Sequence, residues 1–242
     1  MDYSFTVKLL AEFIGTAILI IIGNGAVANV HLKGAKGYRA GWVIIAMGYG
    51  FGVMIPVMMF AQVSGAQINP AMTIGLAVSG QQAWSVVPGY ILVQVAGAIV
   101  GQMIIVVTHK PYYDQTENVE EVLGTFSTIN AAGSRLNGFI NEFFGTFILT
   151  FGALGILQSP SFSLEPGAAA IGVGFLVWAL VAGLGGPTGP ALNPARDLGP
   201  RLVHALLPLK HKGDSQWSYA WVPVLSPICG AIAGVGTFTA IF

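Results

Sequence analysis

The chain has 242 residues, 54% of them hydrophobic and only 8% charged, with ten basic and ten acidic side chains. A soluble domain carries roughly 25% charged residues, so water is excluded as the main solvent. Zero net charge, one cysteine and no Lys/Arg block leave nothing in the sequence that points to nucleic acid, a metal, a cofactor or an internal disulfide.

A helix that crosses the hydrocarbon core needs about 20 mainly apolar residues. In chain order, 5–30, 42–61, 84–108, 139–157, 168–184 and 217–242 meet that length. The first has no basic leader, and Glu12 interrupts it, so it reads as a retained helix rather than a removed signal. Residues 72–79 and 195–206 each follow an Asn-Pro and are too short to cross, as half-helices lining a cavity are. Trp42, Trp84, Tyr112, Tyr113, Trp217 and Trp221 lie near span ends, where amphipathic rings favour the interface. Cys229 sits in an apolar run and reads as a small buried residue.

The chain repeats itself. Ala11-Glu12-Phe13-Ile14-Gly15-Thr16 recurs as Asn141-Glu142-Phe143-Phe144-Gly145-Thr146, and Gly65-Ala66-Gln67-Ile68-Asn69-Pro70-Ala71 recurs as Gly189-Pro190-Ala191-Leu192-Asn193-Pro194-Ala195. Residues 1–110 form one unit of three spans and a half-helix, and 138–242 form the second. An odd number of crossings per unit makes the second copy enter from the opposite side, which is inverted topology. Residues 111–137 are the polar connector, with Asp114, Glu117, Glu120 and Glu121. The fold class is an all-α membrane protein of six transmembrane helices plus two re-entrant half-helices.

Asn is a favoured N-cap and Pro suits the first helical position, so one Asn-Pro-Ala by itself is an ordinary helix start. Two copies at matching places in an inverted repeat bring two half-helix N-termini together near the midplane, each with roughly half a positive charge. Asn69 and Asn193 then offer amide N–H donors to a narrow passage.

With these residues the chain resembles the aquaporin family of major intrinsic proteins over nearly its whole length. The resemblance implies a pore in each subunit of a homotetramer, in which the two Asn hold the oxygen of a passing molecule while positive helix ends repel cations and protons. Arg196-Asp197, Gly199-Pro200-Arg201 and Pro223-Val224 resemble the glycerol facilitator branch. By position relative to the two Asn, the family's selectivity filter maps onto Tyr49, Val181, Pro190 and Arg196. Glycerol-type members commonly have Trp or Phe, Gly and an aromatic at the first three places, and water-selective members usually have His at the second. This filter is atypical of both, and looser discrimination is expected. Gln67 stands where the family often has His.

The implied function is a passive channel for glycerol and other small neutral solutes with some water: dihydroxyacetone, urea, hydrogen peroxide and protonated hydroxy acids are candidates. A water-selective channel is one alternative. An ion-coupled secondary transporter, with Glu12 and Glu142 as coupling carboxylates, is another. The structural reading of both Glu, and of Gln67 and Asp197 beside them, is that they support the re-entrant loops, whose backbone groups need partners at that depth. Arg196 reads either as a filter residue with five fixed donors or as an Arg reaching water at a membrane boundary. No Ser/His/Asp or His/Glu arrangement stands in the apolar runs, so no enzyme is expected.

The glycines at 15, 48, 52, 97, 101, 145, 174, 230 and 234 read as close helix contacts. Positive-inside counting places Lys33, Lys36, Arg39, Lys110, Arg135, Lys210 and Lys212 opposite the termini and so puts both ends outside. The resemblance implies a plasma-membrane protein with both ends in the cytoplasm, and that orientation is the one adopted.

Overall fold

The computed structural model describes residues 3–159 and 166–242. Residues 1, 2 and 160–165, which fall inside the two expected repeat units, lie outside the described residues. The described elements are all helical: α1 (Phe5–His31), α2 (Trp42–Ser64), α3 (Pro70–Val78), α4 (Val87–Tyr113), α5 (Val119–Gly124), α6 (Arg135–Leu157), α7 (Pro166–Leu184), α8 (Pro194–Leu206) and α9 (Val222–Ile241). Six of them, α1, α2, α4, α6, α7 and α9, are long and apolar enough to cross a membrane. The two half-helices, α3 and α8, have 9 and 13 residues and do not reach that length.

Side chains from the sequence set several of the helix starts. Ser4, Asn118 and Ser134 cap α1, α5 and α6 by accepting a backbone N–H of the first turn. Asn69 and Asn193 do the same for the half-helices, each followed by Pro at the first helical position. In packing, α1 lies against α2 and α4, and α6 lies correspondingly against α7 and α9, while α2 meets α7 across the middle. Each half-helix packs on the last span of the other half, α3 on α9 and α8 on α4. A Cβ at Gly97 would collide with the Phe13 carbonyl, and one at Gly230 with the Phe143 carbonyl, so these two positions admit only Gly at the corresponding α1–α4 and α6–α9 crossings.

Two expectations are corrected. Cys229 is exposed on α9: the outer face of a bundle that meets lipid is as apolar as its core, so an apolar run does not separate the two. Tyr113 is 1% exposed and bonds Thr125 Oγ1 at 2.7 Å instead of sitting at an interface. The connector is in part helix, because α4 continues through Pro111 to Tyr113 and α5 follows.

Candidate functional site

The centre of the molecule is a double turn of non-helical backbone. Ala66, Ile68 and Leu192 have φ of 44°, 44° and 50°, left-handed conformations that L side chains rarely adopt. Such residues persist only where surrounding bonds over-determine them. Here the bonds come from two buried carboxylates. Glu12 accepts from the backbone N–H of Gln67 at 2.9 Å and of Ile68 at 2.6 Å, from Ser64 Oγ at 2.6 Å and from Gln94 Nε2 at 2.9 Å. Glu142 accepts from the N–H of Ala191 at 2.9 Å and of Leu192 at 2.8 Å, and from Thr188 Oγ1 at 2.8 Å. Both side chains are wholly buried. Gln67 adds to the first turn, accepting from Thr73 Oγ1 at 2.7 Å and donating to Gln82 Oε1.

The turns cross-brace one another. Asn69 Nδ2 donates to the Leu192 carbonyl at 2.8 Å, and Asn193 Nδ2 donates to the Ile68 carbonyl at 2.7 Å. The Oδ1 of each Asn accepts from its own half-helix, from Ala71 N–H and from Ala195 N–H, both at 2.9 Å. An amide has two N–H donors, so these bonds leave one on each Asn. Pro70, Ala71, Pro194 and Ala195 are buried behind them and carry the half-helix starts.

Two cavities flank this centre. One, of about 260 Å³, lies among Trp42, His31, Glu120, Ser127 and Gly189. The other, of about 130 Å³, passes Asn69 and Asn193 along a wall of Val53, Val57, Leu149, Leu154 and Val173. Tyr49, Val181, Pro190 and Arg196 are the residues common to both linings. The structure therefore brings together at the junction the four positions the resemblance picked out.

Arg196 is 3% exposed and held rigidly. Its Nη1 donates to the Phe126 carbonyl at 3.0 Å and its Nη2 to the Tyr49 hydroxyl, while the guanidinium carbon lies 4.8 Å from the centre of the Tyr49 ring. Its Nε–H has no partner among the described residues. Asp197, the next residue, points away: it accepts from Thr128 N–H at 2.8 Å and Oγ1 at 2.7 Å, and pairs with Arg201 at 2.7 and 2.9 Å. Arg201 also donates to the carbonyls of Thr128 at 2.8 Å and Ser215 at 2.6 Å, so the ion pair locks segment 126–128 over α8.

Residues 1–238 match the family described as Major intrinsic protein. The chain belongs to that family. The chain is 51% identical to "Glycerol uptake facilitator protein-like 5" of Lactiplantibacillus plantarum, covering 100% of this chain and 99% of the other. It is 46% identical to "Glycerol facilitator-aquaporin gla" of Lactococcus lactis with full coverage of both. An X-ray structure of the aquaglyceroporin from Plasmodium falciparum superposes with a TM-score of 0.85 at 27% identity, over 97% of this chain and 96% of that one. With six apolar spans, this major intrinsic protein is a multi-pass membrane protein.

Sequence reasoning left out several side chains that shape the site of this major intrinsic protein. Asn24, Gln94 and Gln102 lie fully buried on spanning helices, and the Phe126 carbonyl comes from the connector. A polar amide in an apolar span is a signal in its own right, because it is expensive unless partnered. Nothing in the sequence marks a backbone carbonyl as the partner of Arg196.

Proposed function

We propose that this major intrinsic protein is a passive channel for glycerol and other small neutral solutes, with some water, and that it excludes ions and protons. The observation that carries the reading is the junction at Tyr49, Val181, Pro190 and Arg196 between two cavities, one of which runs past the paired Asn amides. At the junction Arg196 and the aromatic ring form a polar and an apolar side, matching the hydroxyl edge and carbon edge of a polyol. Asn69 and Asn193 then offer one free N–H each to the solute oxygen, at the positive ends of two half-helices. A cation meets both positive ends and Arg196. An anion is attracted by them and is stopped by the cost of removing its water in a narrow, mostly apolar passage. The names of the relatives from Lactiplantibacillus plantarum and Lactococcus lactis support glycerol.

In this reading 1–110 and 138–242 act as inverted repeats joined by 111–137, and Tyr49, Val181, Pro190 and Arg196 are the selectivity filter. The channel sits in the cell membrane with both termini in the cytoplasm and assembles as a homotetramer with one pore per subunit. Water, dihydroxyacetone, urea, hydrogen peroxide and protonated hydroxy acids are the other solutes of this size and neutrality. A carboxylate in each half is bound by backbone N–H groups, which supports structural Glu12 and Glu142 over ion coupling.

The test is light-scattering permeability of purified protein in liposomes. Glycerol and water should both pass, flux should be unaffected by an imposed proton or sodium gradient, and no ionic current should appear. Water flux without glycerol flux would place the protein in the water-selective branch.

A further inference from the structure

Asn24 is wholly buried on α1, where an amide is costly unless all its groups are used. Its Nδ2 donates to the Phe126 carbonyl at 3.0 Å and to Gln102 Oε1 at 2.8 Å, and its Oδ1 lies 2.6 Å from the Tyr49 hydroxyl. A backbone carbonyl only accepts, so the Phe126 contact fixes which end of the amide is nitrogen. Oδ1 must then accept, and the phenol must donate to it. The guanidinium of Arg196 only donates, so the same phenol oxygen accepts from it. The direction of the hydroxyl is thereby set by its two neighbours.

We infer that Asn24 is a positioning residue which sets solute discrimination by aiming the Tyr49 hydroxyl at itself and so making the Tyr49 oxygen a receptor for Arg196. The inference rests on the filter reading above. Asn24 and Arg196 converge on the same two atoms, the Tyr49 oxygen and the Phe126 oxygen. With the phenol proton turned to Asn24, Tyr49 offers the passage no donor, and the N–H groups of Arg196 that remain, its Nε–H among them, are held at fixed angles. A polyol must meet several of these at once, whereas a water molecule needs fewer. Loosening the guanidinium therefore penalises glycerol more than water.

The test compares parent, Asn24→Ala, Tyr49→Phe and the double variant in liposomes at equal incorporated protein, with glycerol and water permeability measured on each. The ratio of glycerol to water permeability should fall about three- to tenfold in Asn24→Ala, the effect of one hydrogen bond. Tyr49→Phe keeps the ring and should lower the ratio by a similar factor, and the double variant should fall no further. A purely structural Asn24 would reduce both permeabilities together and leave the ratio unchanged, which overturns the inference. So does a double variant in which the two factors multiply. If Asn24→Ala does not incorporate, an unchanged ratio in Tyr49→Phe alone is enough to overturn it. A parent that passes no glycerol would instead end the filter reading itself.

Discussion

At the scale of single residues, the proposed filter depends on one charge and on what holds it. Among the described residues no carboxylate pairs with Arg196: Asp197 is occupied by Thr128 and Arg201. Its partners are a carbonyl and a phenol, so the full positive charge stays available to the passage. Arg196→Val should therefore admit less polar solutes, lower the discrimination among neutral molecules and let protons leak, read as pH dissipation in dye-loaded liposomes. A variant as proton-tight as the parent would assign proton exclusion to the half-helix ends alone. Of these residues Arg196 could be read from the sequence, because it directly follows the second Asn-Pro-Ala. Its neighbours could not, because Asn24 and Phe126 lie far away along the chain and meet it only after folding.

At the scale of elements, the two re-entrant turns show why a carboxylate sits in each half. Three residues other than Gly hold positive φ there, and two N–H groups per turn end on a Glu. Such N–H groups left bare at that depth cost about 1–3 kcal/mol each. Glu142→Ala bares both and opens a void, so the folded protein should lose about 3 kcal/mol or more. Glu142→Gln keeps one acceptor oxygen and should lose less. The measurement is the fraction of monodisperse protein recovered in mild detergent on gentle heating, with flux per surviving channel as a second readout. Equal recovery of the Ala variant and the parent would remove the structural assignment. A supporting part for Glu12 and Glu142 was expected from the polar backbone of a re-entrant loop at that depth and from the family resemblance. The left-handed residues were not, since Ile68 and Leu192 are types that ordinarily avoid that conformation.

At the scale of the whole molecule, the connector is drawn down onto the second half by a cluster of buried polar groups. Beside the Asp197–Arg201 pair lies His204, in the last turn of α8 and outside the six spanning helices. Its Nε2 lies 2.9 Å from the Lys212 carbonyl and its Nδ1 2.8 Å from Ser215 Oγ, and its ring meets that of Phe126 edge-on at 5.0 Å. The carbonyl must accept, so Nε2 carries a proton, while the Ser215 hydroxyl can give or take the bond at Nδ1. Burial pushes its pKa down from 6.5 to about 4; the bond to the Lys212 carbonyl and the charge of Asp214 act the other way, while Lys212 and Arg201 add to the lowering. Between those two values the unfolded chain binds the extra proton and the folded one does not, so stability present above pH 6.5 is lost as the pH falls toward 4. The thermal midpoint in detergent should drop over that window, and the drop should be smaller in His204→Gln. Identical curves for parent and variant would show that His204 is not its source.

The sequence by itself determined the solvent, the six spans, the half-helices and the repeat. Each of these follows from local composition or from a motif met twice, and hydrophobic length and helix capping act over a few neighbouring residues. The positions that meet at the junction were reachable too, but only through the family resemblance, which places its filter relative to the two Asn. Only the tertiary structure decided which way each polar atom points. The Tyr49 hydroxyl is bound on both sides, which no spacing announces. Tyr113, expected at an interface, is buried, and Cys229, expected to be buried, faces out. The reason is common to the last two. A bundle in lipid is apolar on its outside and its inside alike, so hydropathy does not tell the faces apart. The bonds that fix Arg196 run to a carbonyl and to a helix distant in sequence, and such partners exist only once the chain has closed around them.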